Sequence, residues 1–336
     1  MSPSLTTSAA GRAYDFSRVV GGRQQMNGII SMAFGQDDDV YITQKALLFF
    51  DVSRLKIGPE PDDEELVMSF RDIDPNNFDG AWPACLAVGP DQDVYVTDEL
   101  RHLISVFDGD GHFIRNFGQP GTGPGQFDRP SGIIFTADGS MYVSDTMNHR
   151  IQHLTSAGEF IHGFGSQGSK PGQFESPWGI NLDGEGNVFV ADHRNHRIQK
   201  FDAGGNFISA IGSYGSGAGE FDHPTDVAID PDGDIYVCDW ANDRVQVFNQ
   251  SGEYLLQMGG SAVALSKWQK RYVESNPDVV KARRRVNSLD PETKFALPTS
   301  VRFDVNRNRL FVVDSQRWRI QIFNKLKDYA EPQFNI

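Results

Sequence analysis

A chain of 336 residues with 39% apolar residues and 34 glycines suits one large β-architecture with many tight turns. No stretch approaches the roughly 18 consecutive apolar residues of a membrane span, and 2 cysteines in separate repeats make no disulfide framework. A net charge of −14 argues against nucleic acid and anionic membranes as general partners, while leaving room for a local basic site.

The first residues, MSPSLTTSAAGRAYDF, lack the charged start and apolar centre of a signal peptide, so a cytoplasmic location is expected. Tyr14 to Gly21, YDFSRVVG, reads as a strand. At Gly28 begins GIISMAFGQDDDVYITQKALLFF, the weakest copy of a unit that recurs from Pro83, Pro130, Pro177, Pro224 and Pro298. The first three intervals between these prolines are 47 residues and the last is 298 − 224 = 74. The clearest copy, SPWGINLDGEGNVFVADHRNHRIQKF from Ser176, holds three alternating runs separated by a Gly-rich turn and a polar loop. A fourth run follows each copy, as in GHFIRNFG at Gly111 and GEFIHGFG at Gly158. Six copies of four strands predict an all-β, six-bladed propeller forming a single domain over residues 1–336. After Phe323 the tail NKLKDYAEPQFNI offers no fourth strand. Residues 14–21 are therefore expected to supply the outer strand of the last blade and close the ring.

The pattern PxGI…DGxxYVxDxxNHRIQxF, with GxGPGQFxxP between copies, resembles the NHL repeat over roughly residues 27–324, most strongly at Pro130, Pro177 and Pro224. The resemblance implies a six-bladed ring. It implies no single function, since similar rings serve as RNA- or protein-binding modules and as a peptidyl-hydroxyglycine amidating lyase. That lyase places metal-binding histidines directly after the opening proline in three blades. The corresponding residues here are Ala84, Ser131, Trp178, Thr225 and Thr299, with Ile30 in the first copy. None is histidine, so amidating-lyase activity is not expected.

In such a ring the loops between strands 2 and 3, and between one copy and the next, share one face. The other face carries tight turns such as Asp138-Gly139 and Asp232-Gly233. The first face is chemically varied, and any site is expected there, over the central channel. The EPDDEE segment from Glu60 reads as a solvated acidic loop. The long interval adds 74 − 47 = 27 residues, within 260–296. Leu265, Trp268 and Tyr272 form a helical stripe, and Asn276-Pro277 reads as the start of a second helix. The insertion carries Lys267, Lys270, Arg271, Lys281, Arg283, Arg284 and Arg285. It is either a basic lid over a site or a plug that covers a blade edge.

The repeated D-x-x-N-H-R reads as architecture, with short polar side chains satisfying backbone groups. His102, His149 and His196 occupy one position in successive copies, too far apart to share a metal. The informative residues are those that vary at channel-facing offsets. Candidates for acid–base chemistry are His193, Asp226 and Glu99. Candidates for binding substrate are Arg194, Arg129, Trp178, Trp240, Trp82, His223 and Trp268. All five tryptophans, including Trp318, fall on the varied face. No cofactor is firmly implied. A divalent cation, if bound, would take Glu99 and Asp226, with His193, rather than a histidine triad. Cys85 and Cys238 lie across the ring from one another, and a nucleophilic role would need an electropositive setting. Two functions remain: an enzyme of hydrolase or lyase type acting on a small anionic or aromatic substrate, or a module binding a peptide or protein with the same face. A pocket beneath the insertion favours the first and a flat exposed patch the second.

Overall fold

The computed structural model describes residues 6–9, 11–22, 26–46, 49–60, 62–70, 81–286 and 288–327; the end of the C-terminal tail therefore lies outside the described residues. Strands β1 (Thr6–Ala9) and β2 (Arg12–Gly21) come first. The first blade follows, from Ile29–Phe34, Asp39–Ala46, Phe49–Ile57 and Glu64–Phe70. Four more four-stranded blades open at Pro83, Pro130, Pro177 and Pro224, and the sixth opens at Pro298. The result is an all-β six-bladed propeller with a small helical region before the last blade. No helix among the described residues is long and apolar enough to cross a membrane.

The ring holds together because no blade buries its own faces. The hydrophobic core divides into six clusters, one at each seam between neighbouring blades. The phenylalanine three residues before an opening proline (Phe127, Phe174, Phe221 or Phe295) lies buried in such a seam. A fully buried side chain of this size contributes about 1.5–3 kcal/mol.

In the sixth blade, β2 pairs antiparallel with Arg319–Lys325, from Tyr14↔Lys325 to Gly21↔Arg319. β1 adds a fifth strand outside β2, which the repeat pattern did not anticipate. The N-terminal strand also touches both neighbouring blades. Tyr14 Oη lies 2.9 Å from Tyr236 Oη, and Arg12 Nε donates to Asp234 at 2.6 Å in the fifth blade. Arg18 donates to the carbonyls of Gly58, Pro59 and Glu60 in the first. On the same tight-turn face Asp230, Asp232 and Asp234 converge, and the Lys325 ammonium sits among them at 2.5–2.8 Å. The carboxylates could suit a cation, and that place is filled by a side chain.

The insertion contains α1 (Lys267–Ser275), α2 (Pro277–Arg285) and the short α3 (Asp290–Thr293). Ser266 and Gln269 close a capping box at the start of α1, and Asn276 caps α2. α1 is anchored to the closing seam. The Ser266 hydroxyl donates to Gly21 O, Lys267 Nζ donates to Asp62 O and Glu64 O, and Trp268 enters the cluster between the last and first blades.

Beneath that anchor, Glu64 is buried, and neither carboxylate oxygen has a hydrogen-bond partner. Burial is the main reason its pKa rises to about 7, against the opposing pull of Arg18 and Lys267 and a small push from Asp62. A folded-state pKa above the unfolded value favours the neutral form, so this contribution is full below about pH 4.5 and is lost as pH rises through 7. Glu64→Gln should therefore stabilise the protein by about 1–3 kcal/mol at pH 8 and leave it unchanged at pH 4. Urea unfolding at both pH values reads the difference.

Candidate functional site

The inner strands of neighbouring blades approach closely around the ring centre. A Cβ on Gly132 would lie 2.3 Å from Trp178 O, and one on Gly179 2.5 Å from Thr225 O. Hydroxyls just after the opening prolines staple neighbouring inner strands. Ser131 reaches Trp178 O at 3.3 Å, Thr225 reaches Pro298 O at 3.2 Å, and Thr299 reaches Ile30 O at 2.7 Å. Three of the positions tested for metal-binding histidines thus do structural work.

Asp226 lies in this centre, 4% exposed. Its carboxylate pairs with Arg302 Nη1 at 2.5 Å and accepts from Ser300 Oγ at 2.8 Å and Val301 N at 3.1 Å. It is a sealed structural ion pair, and the expectation of an acid–base or metal-binding group at the channel mouth does not fit that setting. Glu99 stands elsewhere, 3.5 Å from Lys45 Nζ, which itself lies over the Trp82 ring. Glu99, Asp226 and His193 are therefore held apart by separate partners, which leaves no shared cation site among them. Cys85 and Cys238 are both buried, and burial raises both thiol pKa values, so neither favours a thiolate.

The D-x-x-N-H-R loops form a recurring network. Asp145 accepts from Asp128 N, Asn148 Nδ2, Arg150 Nε and Gln152 Nε2, while Arg150 reaches the carbonyls of Thr122, Gly123 and Gln126. Asp192, Asp239 and Asp314 repeat the arrangement with their own arginines. The next residue in the loop takes a left-handed conformation, and its side chain accepts a backbone N–H that precedes the next opening proline. His102 accepts from Arg129, His149 from Ser176, His196 from His223 and Asp243 from Leu297. These histidines are inter-blade ties, which accounts for their period without a metal.

Four of the candidate residues converge at the seam of the fourth and fifth blades. His193 begins the short 3-10 turn after Asp192, with its ring 4.8 Å from Trp178, 4.9 Å from His223 and 6.4 Å from Trp240. Burial, chiefly, lowers the His193 pKa to about 4, so the ring is neutral near pH 7. His196 is lowered as well, by burial first and by His223 second. Arg194 and Arg129 are exposed on the same face.

A cavity of about 810 Å³ lies beneath the insertion. Trp268, Tyr272 and Trp318 contribute aromatic surface, and Arg283, Arg317 and Glu292 contribute charge. Arg283 is paired with Glu292 at 2.7 Å. Arg317 donates to Pro291 O through Nη2, whereas its Nε is buried with no hydrogen-bond partner. Arg284 and Arg285 are exposed and do not line the cavity. Trp318 occupies the position held by His102, His149, His196 and Asp243 in other blades, at φ 52°. An indole has no acceptor to make the tie those residues make, and a bulky residue at positive φ is strained by about 1–3 kcal/mol. Sequence reasoning noted Trp318 but not Arg317 or Glu292; the one available signal was that a repeat position otherwise filled by acceptors holds tryptophan.

A family described as a 6-bladed beta-propeller matches residues 89–153 and 180–256. A search of curated proteins finds no significant match. Among solved structures, a catalytically inactive virginiamycin B lyase from Staphylococcus aureus with quinupristin aligns at TM-score 0.56 and 14% identity, over 93% of this chain and 88% of that one. A streptogramin B lyase aligns at TM-score 0.56 and 14% identity, over 95% and 100%. A protein of unknown function from Bacteroides thetaiotaomicron VPI-5482 aligns at TM-score 0.61 and 15% identity, over 94% and 76%. At these identities the likeness is one of fold.

Proposed function

We propose that this propeller binds a small ligand with an aromatic part and an anionic group in the cavity beneath the insertion, and acts on it by hydrolase- or lyase-type chemistry. The observation that carries this reading is Trp318, a bulky side chain held at positive φ that lines the cavity beside Arg317, whose Nε is buried without a hydrogen-bond partner. Backbone strain and an unmet buried donor are retained where function offsets them. An aromatic wall with an arginine suits a planar anion. For catalysis, Glu292 is the single carboxylate among the described lining residues, and neutral His193 lies on the same face. A cavity walled by aromatic and charged side chains, rather than a flat patch, favours a small molecule over a protein partner.

Anilinonaphthalene sulfonate, an aromatic anion, tests the binding half. It should bind at one per chain and quench tryptophan fluorescence. Trp318→Ala and Arg317→Gln should each weaken it about tenfold, the loss of one stacking or charge-assisted contact. Replacing Arg284 and Arg285 together with alanine should change little. Wild-type binding by the Trp318 and Arg317 variants, with unchanged melting curves, would overturn the reading. A panel of aromatic esters and lactones tests the catalytic half by mass. Uptake of one water marks hydrolysis, and cleavage without it marks elimination. Binding without turnover across the panel would remove the catalytic half.

A further inference from the structure

We propose that His193 and His223 form a site for a single divalent transition-metal ion, each ligating through Nε2. This goes beyond the cavity reading and does not depend on it. The tautomer of each ring is set by its hydrogen-bond partner. His193 Nδ1 lies 3.1 Å from Pro224 O. A carbonyl only accepts, so Nδ1 carries the proton and Nε2 keeps a lone pair. His223 Nδ1 lies 2.6 Å from Asp222 Oδ1, which likewise makes Nδ1 the donor and frees Nε2. Metal-ligating histidines are held in this way, with the second ring nitrogen donating to a carbonyl or a carboxylate. No described residue makes a hydrogen bond to either Nε2.

The neighbouring His196 has the opposite tautomer. Its Nδ1 accepts the backbone N–H of His223 at 3.1 Å, so its proton sits on Nε2. His196, Asp222 and His223 do bring potential ligand atoms within 4.8 Å of one another. His196 Nδ1 is taken by the His223 N–H, and Asp222 Oδ1 is taken by the His223 ring, which makes His196 and Asp222 supports rather than ligands.

Geometry agrees with a shared ion. The His193 and His223 ring centres are 4.9 Å apart and the planes are tilted by 58°. Two imidazoles on one metal, each bonded at about 2.0–2.1 Å, place their ring centres roughly 5 Å apart. Trp178 and Trp240 flank the His193 ring at 4.8 and 6.4 Å, and solvent or a ligand atom would complete the coordination of an ion there. Imidazole nitrogen selects zinc, copper, nickel or cobalt over magnesium or calcium.

The repeats supply an internal control. The position of His193 holds Glu99, Thr146, Trp240 and Ser315 in other blades, and that of His223 holds Trp82, Arg129, Ser176 and Leu297. Histidine occurs at each position once, and the two fall together at one seam. The architecture of the ring does not require them.

The test uses tag-free full-length protein with Ni²⁺ or Zn²⁺ alone in calorimetry, and Cu²⁺ in electron paramagnetic resonance. One ion per chain and two coupled nitrogens are expected. His193→Ala and His223→Ala should each weaken binding tenfold or more. Asp222→Asn, which loosens His223, should weaken it by about tenfold. His149→Ala, at the tie position of another blade, should have no effect. Both alanine variants remove partly exposed side chains, and melting curves check that they fold. Absence of stoichiometric binding by wild type, or wild-type affinity in both alanine variants, would overturn the proposal.

Discussion

Deleting residues 1–21 should leave a protein that aggregates and no longer unfolds in one cooperative step. The deletion removes the strand that pairs with Arg319–Lys325 at seven register positions and uncovers that strand as an unpaired edge. It also removes Tyr14 and Val20, buried at two seams, and the buried Val19. Burial of three such side chains is worth roughly 5 kcal/mol or more, against a total stability of about 5–15 kcal/mol. The ties from Arg12 to Asp234 and from Arg18 to the first blade go as well. Lys325 would then hold the Asp230 cluster from a frayed strand. Removing residues 1–11 alone takes away β1 and should be far milder, because β1 is partly exposed and pairs only with β2. Size-exclusion chromatography and urea unfolding distinguish the two. Monodisperse behaviour with an unchanged midpoint after deletion of 1–21 would mean that the ring closes without its N-terminal strand.

The second large effect lies at the ring centre. Asp226→Ala should destabilise the protein by about 3–5 kcal/mol, because it leaves the buried Arg302 guanidinium without its carboxylate. Within the described residues, the only other hydrogen-bond acceptor of Arg302 is its own Val301 carbonyl, at 2.8 Å. Asp226→Asn keeps the shape and should still cost most of that, since the charge is the missing element. Pairing Asp226→Leu with Arg302→Met should recover much of the loss, because two apolar side chains need no solvation. If Asp226 instead served the chemistry of the varied face, the double variant would be inactive although stable. The expectation is that it binds anilinonaphthalene sulfonate like wild type, with the loss confined to urea midpoints of the single variants.

Period, blade count and strand order were legible in the sequence, because each rests on contacts within about fifty residues. Apolar alternation, the Asp-Gly turns and the opening proline recur at 47-residue intervals, and the seams use the same positions each time. The structural nature of the D-x-x-N-H-R loops was legible for the same reason, since Asp192 meets Asn195, Arg197 and Gln199 within one hairpin. The site was not. Asp226 looked like a loop carboxylate because its partner Arg302 is 76 residues away, and only the packing of the fifth blade on the sixth sets the two inner strands side by side. Glu64 reads as one more acidic residue of a solvated run until α1 covers it from the far end of the chain. The cavity is made by a helical insertion, by Arg317 and by Trp318, residues that only the folded chain brings to one place. The free nitrogens of His193 and His223 depend on which oxygen each ring meets, Pro224 O or Asp222 Oδ1. Local pattern specifies strands because backbone pairing repeats; the burial and most partners of a site side chain are set by groups distant in sequence, which only the packed ring brings into contact.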